Sequence, residues 1–133
     1  MRQIDDIIVH CTATAEGREA SVQEIDRWHR ARGWKCIGYH WVVGLDGTVH
    51  KGRAETDAGA HCKGHNAHSI GVCYVGGLAS DGKTPKDTRT AAQRTALRKL
   101  VKELQARYPN ATLHGHRDYA AKACPCFDVH KDL

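Results

Sequence analysis

The sequence predicts a single α/β domain, with a mixed central β-sheet of about five strands packed by about three helices. Short, β-branched apolar runs recur along the chain, and two helical patterns with N-terminal capping residues lie between them. The length of 133 residues suits one domain, residues 1–133. Because ligand sites in such sheets lie beyond the C-terminal ends of the strands, we expect the functional site at that edge.

The first half of the chain alternates strand and helix signals. The apolar run IDDIIVHCT predicts a buried strand with His10 near its C-terminal end. In SVQEIDRWHRARG, Ser21 and Glu24 form the capping-box pattern that starts a helix, and a glycine ends it. Two strand-like runs flank Asp46 and Gly47 in YHWVVGLDGTVHKGR, which predicts a β-hairpin.

The second half continues with strand, helix and strand. The run HSIGVCYVGG predicts a strand, and a second capping box, Thr90 with Gln93, starts a long helix after a polar loop. The apolar positions of that helix share one face: Leu97, Leu100, Val101 and Leu104. The last short run, ATLHGH, predicts a strand that delivers His114 and His116 to its end.

Composition narrows the classes of function. The net charge of +5 favours a polyanionic partner such as nucleic acid, anionic lipid or an acidic wall polymer. No apolar run approaches the roughly 20 residues of a spanning helix, so we expect no membrane insertion. The residues after Met1 do not resemble a signal peptide, so we expect synthesis in the cytoplasm, with the six cysteines free.

The stretch HGHRDYAAKACPCFD concentrates imidazole and thiol groups near the end of the chain. A catalytic zinc site takes three such protein ligands and leaves the fourth position to water. His10, His116 and one cysteine of this stretch would supply the three. A histidine on a strand is more often structural, however, and CPC is tighter than the usual paired-cysteine zinc motif, so the pattern alone leaves both interpretations open.

Six segments in one register extend this pattern over nearly the whole chain: IIVHCTAT, WHRARGW, IGYHWVVGLDGTVHKGR, GAH, GHNAHSIGVCYVGG and HRDYAAKACPCFD. Together they resemble the zinc-dependent N-acetylmuramoyl-L-alanine amidases of the phage-lysozyme type (amidase family 2), relatives of the peptidoglycan recognition proteins. The resemblance implies an endolysin or prophage-type enzyme that uses Zn²⁺ to hydrolyse the amide bond between N-acetylmuramic acid and L-alanine in peptidoglycan. It also implies action on the cell wall after release or export.

The resemblance assigns the site residues. The family's metal ligands fall on His10, His116 and Cys124. Its catalytic tyrosine and lysine fall on Tyr39 and Lys122, which would stabilise the oxyanion formed when water attacks the amide carbonyl. The tyrosine could equally orient water or carry a proton to the leaving amine.

The segment HCKGHNAH has two interpretations. His61 and Asn66 match positions that resemble substrate-side residues, so we expect a polar loop at the rim of a cleft. The alternative is a second metal held by the histidines of this segment. Cys126 is likewise the alternative ligand to Cys124, and His114 is expected to be structural while pointing to the same side of its strand as His116.

Other residues are assigned by position in the sequence. Glu55 and Asp118 are candidates for a general base. The three tryptophans are predicted to anchor the core, with a sugar-binding rim as the alternative for Trp34: Trp28, Trp34 and Trp41.

Two other functions compete with the amidase. A peptidoglycan-recognition module would bind muropeptide without cutting it, but relatives of that kind tend to lack the thiolate ligand that Cys124 offers. Some phage relatives also bind and inhibit an RNA polymerase, and little sequence precedes His10 to serve as a docking arm. We therefore expect a muropeptide substrate, no nucleic-acid partner and a monomer.

Overall fold

The computed structural model describes residues 2–133, which form a five-stranded sheet with flanking helices. The strands are β1 (Asp6–Cys11), β2 (Thr14–Ala15), β3 (Trp41–Val43), β4 (Val49–Lys51), β5 (Ser69–Tyr74), β6 (Gly77–Leu78) and β7 (Thr112–Gly115). The helices are α1 (Val22–Ala31), α2 (Ala91–Arg107) and α3 (Val129–Asp132), with 3-10 turns at Asn66–His68 and His116–Asp118. The predicted fold class is confirmed.

The main sheet has the strand order β4-β3-β5-β1-β7. All neighbouring strands in it are parallel except the predicted hairpin, in which β4 runs antiparallel to β3. In the turn of that hairpin, Gly47 has a φ of 84°, a left-handed conformation that glycine adopts without strain. Because β5, β1 and β7 are parallel neighbours, their C-terminal ends meet at one edge of the sheet.

Both predicted helix starts are present. Ser21 Oγ accepts a hydrogen bond from the Glu24 N–H at 3.1 Å at the start of α1. At the start of α2, Thr90 and Gln93 form a complete capping box, with reciprocal bonds of 3.0 and 2.9 Å. The buried Gln93 amide also donates to two backbone carbonyls beside the sheet, which ties this helix start to the strands. No described helix has the length and apolar character to cross a membrane.

Two apolar clusters hold the helices on the sheet. The larger cluster joins β1 and β5 to α2 and includes Ile7, Val9, Ile70, Val72, Leu97, Leu100 and Leu104. The smaller cluster holds α1 and consists of Ala20, Ile25, Ile37, Val42 and Val75. Since side chains alternate along a strand, the placement of Ile7 and Val9 toward α2 puts His10 on the opposite face of the sheet.

The three tryptophans occupy different surroundings. Trp28 packs against the smaller cluster and Trp41 against the larger one, as predicted. Trp34 joins neither cluster; it follows Gly33, whose φ of 90° turns the chain, and its ring lies 4.7 Å from that of His29. For Trp34 the structure favours the alternative placement, at the border of a cleft.

Candidate active site

A cleft of about 680 Å³ opens where the parallel strands end. One part of its wall comes from the end of β1 and from the last turn of α1, together with Arg32 and Trp34, which follow that helix. Further parts come from the segment 60–66 and from the segment that follows β7. Arg32, Lys63 and Lys122 bring positive charge to the walls, and none of the lining residues in the described chain carries a carboxylate. The cleft therefore attracts anionic ligands.

His10, His116 and Cys124 meet in this cleft, and the ligand atoms that they offer all lie within 4.8 Å of one another. His10 is the fifth residue of β1, and His116 directly follows β7. The pairing of Val9 with Gly115 in the parallel register brings the two imidazole rings to a centroid distance of 4.5 Å. The loop after the 3-10 turn then returns the Cys124 thiol to the same point.

The chemistry of these three side chains fits Zn²⁺. Burial lowers the pKa of His10 well below its usual value, and the nearby His61, His116 and Lys122 act in the same direction. Burial also lowers the pKa of His116, with a further contribution from Lys122. Neutral imidazole is the form that binds metal. The Cys11 N–H donates to Cys124 Sγ at 3.2 Å, which helps to hold the sulfur beside the two imidazoles.

Cys126 lies outside this group. Its backbone adopts a left-handed φ of 69°, and its thiol lies 3.3 Å from the carbonyl oxygen of Gly77. The structure thus brings Cys124, and not Cys126, together with the two histidines. None of the six cysteines forms a disulfide bond.

His61 lies behind His10 in the cleft wall. Its Nδ1 is 2.8 Å from His10 Nε2, and its Nε2 is 3.0 Å from Ser69 Oγ. Burial lowers the pKa of His61 to about 3. Asn66 holds the loop, because its Oδ1 accepts the backbone N–H groups of His61 and Cys62 at 2.9 and 3.0 Å. A hydrogen-bonded partner of this kind fixes the orientation of a metal-binding imidazole.

Tyr39 and Lys122 border the same cleft. The Tyr39 ring lies 5.2 Å from those of His10 and His29. Burial raises the pKa of the Tyr39 hydroxyl well above its usual value, and nearby thiols add to this effect, so the hydroxyl keeps its proton. The Lys122 side chain is exposed. A neutral hydroxyl and an ammonium group are the donors that a developing oxyanion needs.

The two candidate general bases lie outside the cleft. Glu55 accepts hydrogen bonds from Trp41 Nε1 at 2.7 Å and from the Tyr108 hydroxyl at 2.5 Å. Asp118 accepts the backbone N–H of Gly115 at 3.0 Å. Both carboxylates are engaged in structural contacts, which removes them as candidates for the general base.

His114 lies outside the metal-binding group. Strand β7 ends at Gly115 and His116 begins a 3-10 turn, so the alternation of side chains along a strand does not relate His114 to His116, and their common direction stays a prediction. His114 Nε2 lies 3.5 Å from Asp6 Oδ1.

The cleft residues that were not predicted include four with charged or aromatic side chains: His29, Arg32, Lys63 and Tyr119. His29 Nδ1 accepts the Gly38 N–H at 2.8 Å, and burial lowers the pKa of His29 to about 4. A signal for His29 existed, because it follows Ile25 by four residues and so shares the buried face of α1. The other three belong to loops, where no periodic pattern indicates position.

Comparisons with known proteins show the family of the chain. A family model described as N-acetylmuramoyl-L-alanine amidase matches residues 1–127. The endolysin of Escherichia phage T7 is 46% identical over 125 residues, 94% of this chain and 82% of that protein. The solved structure of the N-acetylmuramoyl-L-alanine amidase LysC from Clostridium intestinale URNW has a TM-score of 0.80 at 31% identity, covering 93% of this chain and 77% of that one. The ectodomain complex of peptidoglycan recognition proteins LCa and LCx bound to tracheal cytotoxin matches with a TM-score of 0.77 at 31% identity, covering 94% and 77%.

Proposed function

Because the chain belongs to the N-acetylmuramoyl-L-alanine amidase family and is a peptidoglycan amidase, we propose that it uses one Zn²⁺ ion held by His10, His116 and Cys124. The bond cut is the amide between N-acetylmuramic acid and L-alanine. The convergence of two imidazoles and one thiol in the cleft carries this proposal. The peptidoglycan-recognition module is less supported, because the complete donor set of a catalytic zinc site is present.

Held by these three residues, the ion would act as a Lewis acid and would lower the pKa of water to about 7. The side chains of the protein then serve the transition state. The Lys122 ammonium and the neutral Tyr39 hydroxyl donate to the carbonyl oxygen as negative charge develops on it. Because burial raises the pKa of the Tyr39 hydroxyl, this hydroxyl is a weak acid, so its role in the proposal is to donate a hydrogen bond and not to transfer its proton to the leaving amine.

His61 and Asn66 lie on the substrate side of the cleft in this proposal. The hydrogen bond between His10 Nε2 and His61 Nδ1 supports a second role for His61, which is to orient the ligand imidazole. Asn66 acts on the same loop, since its side-chain oxygen binds two backbone N–H groups there.

Charge supports a muropeptide substrate. Stem peptides of peptidoglycan carry free carboxylates, and the cleft presents Arg32, Lys63 and Lys122 with no carboxylate among its described lining residues. We further propose that residues 1–133 form one amidase domain, that it acts as a monomer, and that it reaches the cell wall after release or export.

Substitution of the two neighbouring cysteines tests the metal assignment. Cys124→Ala is expected to lose one zinc per chain and the release of dye from labelled cell walls together. Cys126→Ala is expected to keep both, because its thiol faces the Gly77 carbonyl. Elemental analysis and the dye-release assay read the two properties separately. Loss of zinc and activity only in Cys126→Ala would reverse the assignment.

A further inference from the structure

A second group of metal-binding side chains lies apart from the ligands of the active site. Its members are Asp6, His65 and His68, whose ligand atoms all lie within 4.8 Å of one another. Asp6 is the first residue of β1, whereas His10 lies near the C-terminal end of the same strand. The two histidines come from the HCKGHNAH segment, of which the proposed function uses only His61 and Asn66.

Local structure explains why the two histidines converge. His65 precedes the 3-10 turn and His68 ends it. Side chains three residues apart on a 3-10 turn are eclipsed, so both imidazoles lie on one side of the loop. The His68 and His65 Nδ1 atoms lie 3.4 and 3.8 Å from Asp6 Oδ2. A tetrahedral zinc ion with bonds of 2.0–2.1 Å holds its donor atoms about 3.3 Å apart, which is close to this spacing.

Two of the three side chains lack the hydrogen-bond partners that burial requires, and the third has one distant partner. Both Nδ1 atoms are buried and have no hydrogen-bond partner within the described chain. Their distances to Asp6 exceed the usual range of an N–H···O bond. Asp6 is only 8% exposed, and the Tyr119 hydroxyl, at 3.3 Å, is a distant donor to its carboxylate. A cation between the three groups would satisfy all of them.

We propose that Asp6, His65 and His68 form a second binding site for a divalent transition metal, with Zn²⁺ as the best match. Two imidazoles and a carboxylate suit Zn²⁺, whereas Mg²⁺ and Ca²⁺ prefer oxygen ligands. Further donors are close by, because Asp5 Oδ2 lies 4.0 Å from His68 Nδ1 and His114 Nε2 lies 3.5 Å from Asp6 Oδ1.

The position of this site indicates a structural role for the ion. It would fasten the 61–68 loop to β1, and that loop carries His61 and Asn66 into the cleft. The His65 ring also stacks on the ring of Tyr119, another cleft residue, at a centroid distance of 3.8 Å. The second ion therefore holds the cleft rim and takes no part in the hydrolysis.

Counting zinc in the full-length, tag-free protein tests the site. After dialysis against excess Zn²⁺, the wild type is expected to hold two ions per chain, and His68→Gln and the isosteric Asp6→Asn one ion each. His130→Gln is the matched control: His130 belongs to a different histidine and aspartate group, with His114 and Asp118. This control is expected to keep two ions. The loss of a ligand in His68→Gln is expected to lower the affinity of the second site for zinc by about 10- to 100-fold or more.

Cobalt separates the two sites by their spectra. Co²⁺ bound at Cys124 gives a thiolate-to-cobalt charge-transfer band, whereas Co²⁺ at Asp6 has no sulfur ligand and gives weak d–d bands alone. His68→Gln should lose only the second component, so failure of this site is distinguishable from failure of the catalytic one. Zinc should also slow amide exchange in residues 62–68 of the wild type but not of His68→Gln. A wild type that binds one metal ion with the thiolate band of Cys124 and no second component, or a second ion lost in His130→Gln and kept in His68→Gln, would overturn the proposal.

Discussion

The two proposed oxyanion donors differ in how firmly the fold holds them. Tyr39 is packed between the rings of His10 and His29, whereas Lys122 is exposed on the loop that carries Cys124. Removal of Lys122 therefore costs little folding free energy and changes mainly the charge beside the reacting group. This makes Lys122 the cleaner residue for testing the mechanism.

Lys122→Ala is expected to keep its zinc and its fold while kcat falls about 10²- to 10³-fold, the usual effect of removing one oxyanion donor. Turnover of soluble muropeptide and zinc content would be measured on the same preparation. Lys99→Ala, an exposed lysine of α2 outside the cleft, serves as the control and should match the wild type. Unchanged turnover in Lys122→Ala would remove this residue from the mechanism.

The sequence indicates individual ligands better than their supporting contacts. The positions of His10 and His116 near the ends of recognisable strands indicated that they belong to a site, and the family resemblance then proposed them as ligands. The hydrogen bond between His10 and His61 could not be predicted, since the two residues are 51 positions apart and no local pattern links them. The convergence of Asp6 with His65 and His68 depends in the same way on the packing of a loop against a strand.

At the scale of elements, two hydrogen bonds join α1 to the segment that precedes β3. Tyr39 belongs to this segment. Asp26 Oδ1 accepts the Ile37 N–H at 2.7 Å, and the buried His29 Nδ1 accepts the Gly38 N–H at 2.8 Å. The second bond requires a neutral imidazole, because a protonated ring has no acceptor. Protonation of His29 therefore opposes the docking of α1.

The free energy of unfolding should consequently depend on pH through His29. Burial lowers the pKa of His29 to about 4 in the folded state, against about 6.5 in the unfolded chain. Between these values the unfolded chain binds a proton that the folded chain excludes. The contribution of His29 is therefore complete above pH 6.5 and is lost as pH falls toward 4, by at most about 1.4 kcal/mol per pH unit.

Urea unfolding of the metal-free protein between pH 7 and pH 5 would measure this dependence. His29→Gln cannot titrate, so its stability should fall less steeply with acid than that of the wild type. Burial also lowers the pKa of His40 and His61, and these residues contribute equally to both proteins. Equal slopes would mean that His29 titrates normally in the folded state.

Elements with strong local signals could be predicted, and shorter ones could not. The helix starts at Ser21 and Thr90 follow from capping residues that act within one turn. The two-residue strands β2 and β6 are too short to carry a periodic pattern. The end of β7 also escaped prediction, because the turn there depends on the bond from the Gly115 N–H to Asp118.

Across the whole molecule, parallel pairing gathers the site. Strands β1 and β7 are separated by most of the sequence, yet their parallel register puts His10 beside His116. The alternation of strands and helices predicts the fold class, but the strand order β4-β3-β5-β1-β7 depends on long-range pairing that no local pattern encodes. The charge of the cleft likewise depends on loop residues, Arg32 and Lys63 among them.

Product analysis of purified peptidoglycan, digested with and without a chelator, tests the zinc-amidase account most directly. The account predicts new L-alanine amino termini that do not form after a chelator has removed the zinc and that form again when Zn²⁺ is restored. Zinc binding without any cleavage would indicate a recognition module instead. The account would be contradicted if the zinc-free protein produced new L-alanine termini at the full rate, or if the digestion produced new sugar reducing ends in their place.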